Sequence, residues 1–434
     1  KIETSLNTHD FAEKCQKDDV WNYEIFIDIL KFKYLNKIQF KSYNKIFIKK
    51  SKFEKKIKKN NSLITLFLNF LTKIGFFYNK IIIENPYASK KILSKIFFKI
   101  FQIPTLSFQM FKDFDSIIDK SQLTKRNSIS IDIDSKDNFL RFVRENLKKN
   151  LPVSLIENFY AYKNSNNYIN KLKNKKIFTS SYYFSNEKFK FWLAELSYNK
   201  NKIFVVRHGG FINQIEVLQD FFNHEINISN KYCNWNKINT GSLYLPPIEL
   251  EKFKYLKKNS NNNCLIVEPE HNAYNIKSGR YPYNENYLEN INLAFKFLNN
   301  LESEIRSNVI TRCLSYNGKI YLPKVYKKKF PDIQVCNLKK SFKERLSTSK
   351  ILIIKYLDTP VTQALVSDVP FIVLVPKNLI RKYKHKKIYN LMIKNHLLFY
   401  NPIKASTFIN KTWKNVNYWW KSQEVENCKK ILKK

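Results

Sequence analysis

From Lys175 to Val375 the chain alternates short apolar runs with amphipathic stretches, and this rhythm limits the possible folds more than any other feature. Lys176–Thr179, Ile203–Arg207, Cys264–Glu268, Asn308–Cys313, Lys350–Tyr356 and Pro370–Val375 have the length and aliphatic content of buried strands. Asn186–Tyr198, Asn284–Leu301 and Pro360–Val366 carry helical spacing between them. A strand–helix–strand order predicts parallel strands joined by crossovers. Lys231–Trp235 and Ile333–Val335 read as brief strands, and Phe211–Glu225 and Leu338–Leu346 as helices.

The first part of the chain reads as mainly helical. Ser62–Tyr78 is its most apolar window, interrupted by Asn69 and Lys73. A membrane span needs about 20 apolar residues, so a core helix is expected there. Lys80–Glu84 reads as a strand, Ala88–Gln102 and Asn138–Lys149 as helices, and the acidic, Ser-rich Asp113–Asp137 as a surface loop. Thr240–Pro247, with Gly241 and Pro246-Pro247, has the composition of a linker. The expected fold class is therefore α/β, with two Rossmann-like domains, 1–245 and 246–434, facing a central cleft. Lys377–Lys394 and Ala405–Lys433 read as closing helices, the latter placing Trp413, Trp419 and Trp420 across the domain joint.

A net charge of +41 raises the question of a polyanionic partner. The excess is overwhelmingly Lys, whereas Arg is the better fork for phosphates and base edges. Abundant Lys, Asn, Ile, Phe and Tyr with scarce Gly and Ala follow from an AT-rich genome, which argues against nucleic acid. Peripheral contact with the anionic inner face of a membrane fits the charge better. The six cysteines are widely spaced, without a CxxC pair, and suit a cytoplasmic, reducing setting. The six histidines form no HxxxH or HExxH cluster, so no bound metal is expected.

Only 6 Gly occur in 434 residues, yet Gly209 and Gly210 stand side by side after the apolar run Lys202–Val206. Glycine lets a ligand approach the main chain closely. Arg207-His208-Gly209-Gly210 at a strand end therefore reads as a site, with His208 for proton transfer or phosphate contact. A tight turn around a satisfied core histidine is the plain structural alternative. Tyr356-Leu357-Asp358-Thr359-Pro360 follows another strand; Asp358 or Thr359 suits the helix cap and Pro360 the first turn. Such a helix start binds anions, although ordinary capping explains the residue types equally well. Arg312 ends the strand Asn308–Cys313, where a phosphate fork and a surface ion pair are equal alternatives, and Glu268 ends Cys264–Glu268 in the same way.

These residues and others occur in an order resembling a known family. Leu151-Pro152 with Glu157 comes first, then Phe178-Thr179-Ser180 and Phe189-Lys190-Phe191-Trp192. His208-Gly209-Gly210, His224-Glu225, Tyr232, Trp235, Arg312, Thr359, Pro370 and Trp419-Trp420 follow. The series resembles the transferases first described from leptospiral O-antigen gene regions, a GT-B glycosyltransferase-like branch. The chain departs from the family pattern in having Arg207 where Gln precedes His-Gly-Gly, and Gln363 where an acidic residue follows Thr359 by one turn. Asn230 replaces an Asp, and Asn-Lys follows Trp235 in place of Gly-Trp.

The resemblance implies a glycosyltransferase that moves a sugar from a nucleotide-sugar to a surface-polysaccharide acceptor, a glycan or lipid-linked glycan. Arg312, Asp358, Thr359, Gln363 and Glu268 would form the donor side. His208 would be the catalytic residue, with Arg207, Gly209, Gly210 and Glu225 lining the cleft. No cofactor is implied beyond the donor substrate. Two alternatives are transfer of a polyol phosphate on the same frame, and a catalytically degenerate basic protein that binds nucleic acid or anionic lipid.

Overall fold

The computed structural model describes residues 7–34, 63–84, 88–105, 123–130, 136–165, 172–210, 224–235, 242–245, 248–254, 256, 262–269, 287–313, 322–336, 338–378 and 386–433. The expected helix Phe211–Glu225 lies outside these residues up to 223, and the expected helix Lys377–Lys394 is described only at its ends. Two compact units divide the chain, Lys1–Phe204 and Val205–Lys434. The fold is α/β with two parallel sheets.

The first sheet has the order β1 (Ile81–Glu84), β2 (Lys176–Thr179), β3 (Lys202–Val206), β4 (Lys231–Asn234) and β5 (Leu243–Tyr244). The division between the units falls inside β3. The Thr240–Pro247 stretch, expected to be a linker, instead supplies β5, which pairs with β4 through Cys233 and Leu243. Two consecutive residues of backbone pairing are enough to recruit so short a segment.

Two further expectations for the N-terminal part need correction. The acidic stretch Asp113–Asp137 is not simply a loop, because it contains the helix Leu123–Ser128. From that helix Arg126 reaches Glu157 with a two-pronged contact, Nε to Oε1 at 2.5 Å and Nη2 to Oε2 at 2.7 Å. Its Nη1 also donates to the carbonyls of Lys148 and Leu151. Residues before 60 also hold two helices that the sequence left unread, Thr8–Lys17 and Asp19–Tyr34. The apolar segment at Ser62–Tyr78 does form a helix, Leu63–Tyr78, but it is not a core helix. Among the described residues of this helix only Thr72, Gly75 and Phe76 are buried, while Leu63, Leu66, Phe67, Phe70 and Phe77 stay exposed.

Glu84 ends β1 beside Thr179 of β2. It is fully buried, and neither carboxyl oxygen has a hydrogen-bond partner among the described residues. Burial alone holds its pKa well above the usual carboxylate range. Above the ordinary glutamate pKa of about 4.3, the folded protein therefore keeps a proton that the unfolded chain releases. The contribution of Glu84 to stability is full below that value and is lost as pH rises toward the folded pKa. Glu84→Gln is expected to remove this slope and to raise Tm at alkaline pH, measured by thermal unfolding across pH. Equal slopes in the two proteins would contradict the assignment.

The second sheet lies wholly within Val205–Lys434. Its strands are β6 (Asn263–Val267), β7 (Val309–Arg312), β8 (Gln334–Val335), β9 (Ser349–Ile354), β10 (Phe371–Leu374) and β11 (Leu398–Phe399). Their order is β11-β10-β9-β6-β7-β8, with parallel pairing throughout. β6 starts in the middle, β7 and β8 are added on one side, and β9, β10 and β11 on the other. That is the Rossmann strand order, and its switch point lies between β6 and β9.

Both faces of this sheet are covered. Leu265, Val267, Leu352, Ile354, Phe371 and Val373 enter one apolar cluster; Cys264, Ile266, Ile351, Ile353, Ile372 and Leu374 enter the other. This is why the strands read as unbroken apolar runs. The expected closing helix Ala405–Lys433 is three helices, Pro402–Thr412, Val416–Trp420 and Gln423–Lys433. Its tryptophans pack on the second sheet: Trp413 belongs to one face cluster, Trp420 to the other, and Trp419 packs against both. Asp368 fixes the arrangement, accepting from Trp420 Nε1 at 2.8 Å and from buried Lys429 at 3.0 Å.

Candidate functional site

Ligands in open parallel sheets bind beyond the carboxyl ends of the strands, at the switch point. In the second sheet those ends carry Glu268 after β6, Arg312 on β7, and Lys355 followed by Asp358 and Thr359 after β9. Glu268 N–H donates to Arg312 O at 3.1 Å, and Lys355 N–H donates to Val267 O at 3.0 Å. Backbone pairing therefore holds these three strand ends level.

Arg312 is half-buried, with its guanidinium 5.4 Å from the centre of the Phe342 ring. Its Nε–H is buried and has no hydrogen-bond partner among the described residues. Glu268 is fully buried and accepts a hydrogen bond from Tyr326 Oη. Lys355, equally buried, donates from Nζ to the Asn290 carbonyl at 2.5 Å. Burial lowers the Lys355 pKa, and the Glu268 charge opposes the shift. Tyr287 is pushed up to about 12, first by burial and then by Glu268 and Cys313. Glu268 thus sits inside a polar network in the wall of the site.

The Asp-Thr-Pro segment caps the helix Thr359–Val366 as its residue types imply. Asp358 is the cap; it accepts from Thr359 N–H at 2.6 Å and from the Thr359 hydroxyl at 3.0 Å. The Thr359 hydroxyl in turn accepts from Gly210 N–H at 2.9 Å, and the Thr362 hydroxyl donates to Gly210 O at 3.2 Å. Two stretches separated by about 150 residues, each picked out in the sequence, are joined by this chain of bonds. Gln363 lies half-buried on the same helix, and its side chain makes no hydrogen bond among the described residues.

The two glycines have separate reasons. A Cβ on Gly209 would stand 3.3 Å from the Thr359 hydroxyl, and Gly210 has φ 99°. Gly210→Ala should cost about 1–2 kcal/mol, because an L side chain resists that left-handed backbone. Chemical denaturation of the variant measures this cost, and an unchanged midpoint would contradict it.

Arg207 is a buried strut. Its Nε donates to Gly209 O at 2.9 Å, its Nη1 donates to Asn234 Oδ1 at 3.0 Å, and its guanidinium lies 5.4 Å from the Trp235 ring centre. Burial lowers its pKa, opposed by Tyr232, Asp358 and Glu225. His208, next in the chain, is partly exposed, with Nδ1 3.8 Å from Oε1 of buried Glu225. Burial, then the Glu225 charge, drives the Tyr232 phenol far up.

Sequence reasoning missed Lys355, Tyr326 and Asn290. A lysine closing the run Ile351-Leu352-Ile353-Ile354 was the one available signal.

Among curated proteins, none matches the chain. The wall teichoic acid polymerase TagF aligns over 63% of this chain and 79% of its own, with 11% identity and a TM-score of 0.30. The N-terminal domain of trehalose-6-phosphate phosphatase from Candida albicans aligns over 84% and 89%, with 12% identity and a TM-score of 0.35. Scores this low support no inference about activity. The family match differs in extent: it covers residues 4–434, and the chain belongs to the LIC12162 family of transferases.

Proposed function

We propose that the chain transfers a sugar from a nucleotide-activated donor to a hydroxyl of a surface-polysaccharide acceptor. The observation that carries this reading is the Arg312 Nε–H, buried without a partner among the described residues at the carboxyl edge of a Rossmann-ordered sheet in a transferase. Buried donors are almost always satisfied, and a guanidinium fork suits phosphate oxygens. In this reading Arg312 neutralises the charge that grows on the departing nucleotide diphosphate. His208, backed by Glu225, takes the acceptor hydroxyl proton or contacts the donor. Gln363 hydrogen-bonds the donor as a neutral group. Glu268 positions the wall through Tyr326, and Asp358 and Thr359 hold Gly210. No cofactor enters the reaction.

The test is donor consumption by the full chain, read as nucleotide release across a panel of nucleotide-sugars and nucleotide-polyols. Release from a nucleotide-sugar is expected. Release from a nucleotide-polyol alone would replace the reading with polyol-phosphate transfer. No release, with salt-sensitive polyanion binding that survives His208→Ala, would replace it with a binding protein.

A further inference from the structure

The helix Leu63–Tyr78 turns a whole face outward. Leu63, Leu66, Phe67, Phe70 and Phe77 recur at helical spacing and are all exposed, Leu63 at 84% and Phe70 at 60%. Its other face is committed: Leu68 packs beside Leu93 and Phe97 of the helix Lys90–Lys99, and a Cβ on Gly75 would meet Thr105 at 2.7 Å. The outward face is therefore not a helix awaiting its core. Contiguous apolar surface of this kind marks an interaction site.

A second observation concerns Phe101. The helix Lys90–Lys99 ends with Phe101 N–H bonded to Phe98 O and Gln102 N–H to Phe97 O. This closure puts Phe101 in the left-handed position, at φ 52°, where glycine is usual. The Phe101 ring is nonetheless 94% exposed, and Phe98 beside it 81%. The adjoining chain is anchored to the first helix, since Asn79 bonds both the carbonyl and the N–H of Ile103. A strained backbone carrying an uncovered aromatic ring gains nothing within the fold.

The charge within this stretch of chain is almost all of one sign. Between residues 63 and 105 the bases are Lys73, Lys80, Lys90, Lys91, Lys95 and Lys99, all on elements of this same region. The only acidic residue in that span is Glu84, which is buried. Lysines beside an apolar face extend their heads to lipid phosphates while their stems stay in the apolar layer. The helix has 16 residues, about 24 Å at the α-helical rise, which is short of the roughly 30 Å hydrocarbon core. Among the described residues no helix is long and apolar enough to cross a membrane.

We infer that the outward face Leu63, Phe67, Phe70 and Phe77, aided by the exposed Phe98 and Phe101 of the neighbouring helix end, docks on an anionic membrane surface, with the helix Leu63–Tyr78 lying in the interface. The inference is independent of the proposed transfer chemistry. Vesicle co-sedimentation of the full chain tests it, using phosphatidylcholine with about one quarter phosphatidylglycerol against phosphatidylcholine alone. The expected result is binding to the anionic vesicles, weakened by salt and reduced by about tenfold or more in Phe67→Ser/Phe70→Ser. Phe101→Gly provides a variant that keeps the fold: it should raise Tm by relieving the left-handed phenylalanine, yet weaken vesicle binding. Tyr418→Ser, at an exposed aromatic elsewhere, should bind as the wild type does. Three outcomes would overturn the inference: no binding to anionic vesicles, equal binding by the three patch-directed and control variants, or a wild-type dimer in light scattering that Phe67→Ser/Phe70→Ser dissociates.

Discussion

Replacing Arg312 with alanine is expected to lower transfer by about 10²–10³-fold, the usual cost of removing one preorganised charge stabiliser. Tm should stay close to that of the wild type. The second half of the expectation follows from the structure. The Arg312 guanidinium stacks on Phe342 but satisfies no buried acceptor through Nε among the described residues, so its removal strands none of them. Backbone bonding of Arg312 O to Glu268 N–H survives the substitution. Arg312→Lys should recover only part of the loss, since a lysine restores charge without the planar fork. The check is kcat/KM with the donor identified by nucleotide release, together with Tm. A variant that loses activity only in proportion to lost stability would assign Arg312 to the fold.

The largest stability effect is expected at Glu268. Glu268→Leu removes the acceptor of the Tyr326 hydroxyl and the charge that opposes the desolvation of Lys355. Leaving a buried donor without its acceptor costs about 1–3 kcal/mol, and more where a charged group is stranded, a large part of the total stability of a domain. Lys355→Met in the same chain should restore much of that loss, because an apolar side chain of similar length needs no counter-charge. The double-mutant cycle, followed by denaturant unfolding, therefore predicts strong coupling between Glu268 and Lys355. Additive costs would mean that the two groups are independent.

Much of the second sheet was legible because its strands are buried on both faces. Ile351-Leu352-Ile353-Ile354 and Phe371-Ile372-Val373-Leu374 leave no other placement for so many apolar residues. Asp358-Thr359-Pro360 announced its cap because aspartate can accept from the first helical N–H and proline needs none there. The two-residue strands β5 and β11 left no trace, since periodicity needs more length than that, although the equally short β8 was read within Ile333–Val335. The breaks within Ala405–Lys433 were also invisible, because the apolar spacing continues across the 3-10 turn Trp413–Asn415. At Ser62–Tyr78 hydrophobicity was read correctly as a helix and wrongly as core. Apolar side chains report a preference for leaving water, not which surface receives them.

In the candidate site, the glycine pair and the Asp-Thr cap were each visible in the sequence, but not their union. Bonding between Gly210 and Thr359 depends on long-range folding that no local pattern encodes. Arg207 stood out because of its neighbours; its bonds to Gly209 and Asn234, which hold the glycine turn, could not be read from them. Lys355 was masked by abundance, since one more lysine carries little information in a chain so rich in them.

The central claim is that the carboxyl edge of the second sheet holds an activated nucleotide through Arg312. The most direct measurement is thermal shift of wild type and Arg312→Ala against a panel of nucleoside mono- and diphosphates and their sugar conjugates. The account predicts that at least one nucleotide raises the wild-type Tm and that Arg312→Ala loses the shift while keeping its own unliganded Tm. Absence of stabilisation by every nucleotide, or an equal shift in both proteins, would contradict it.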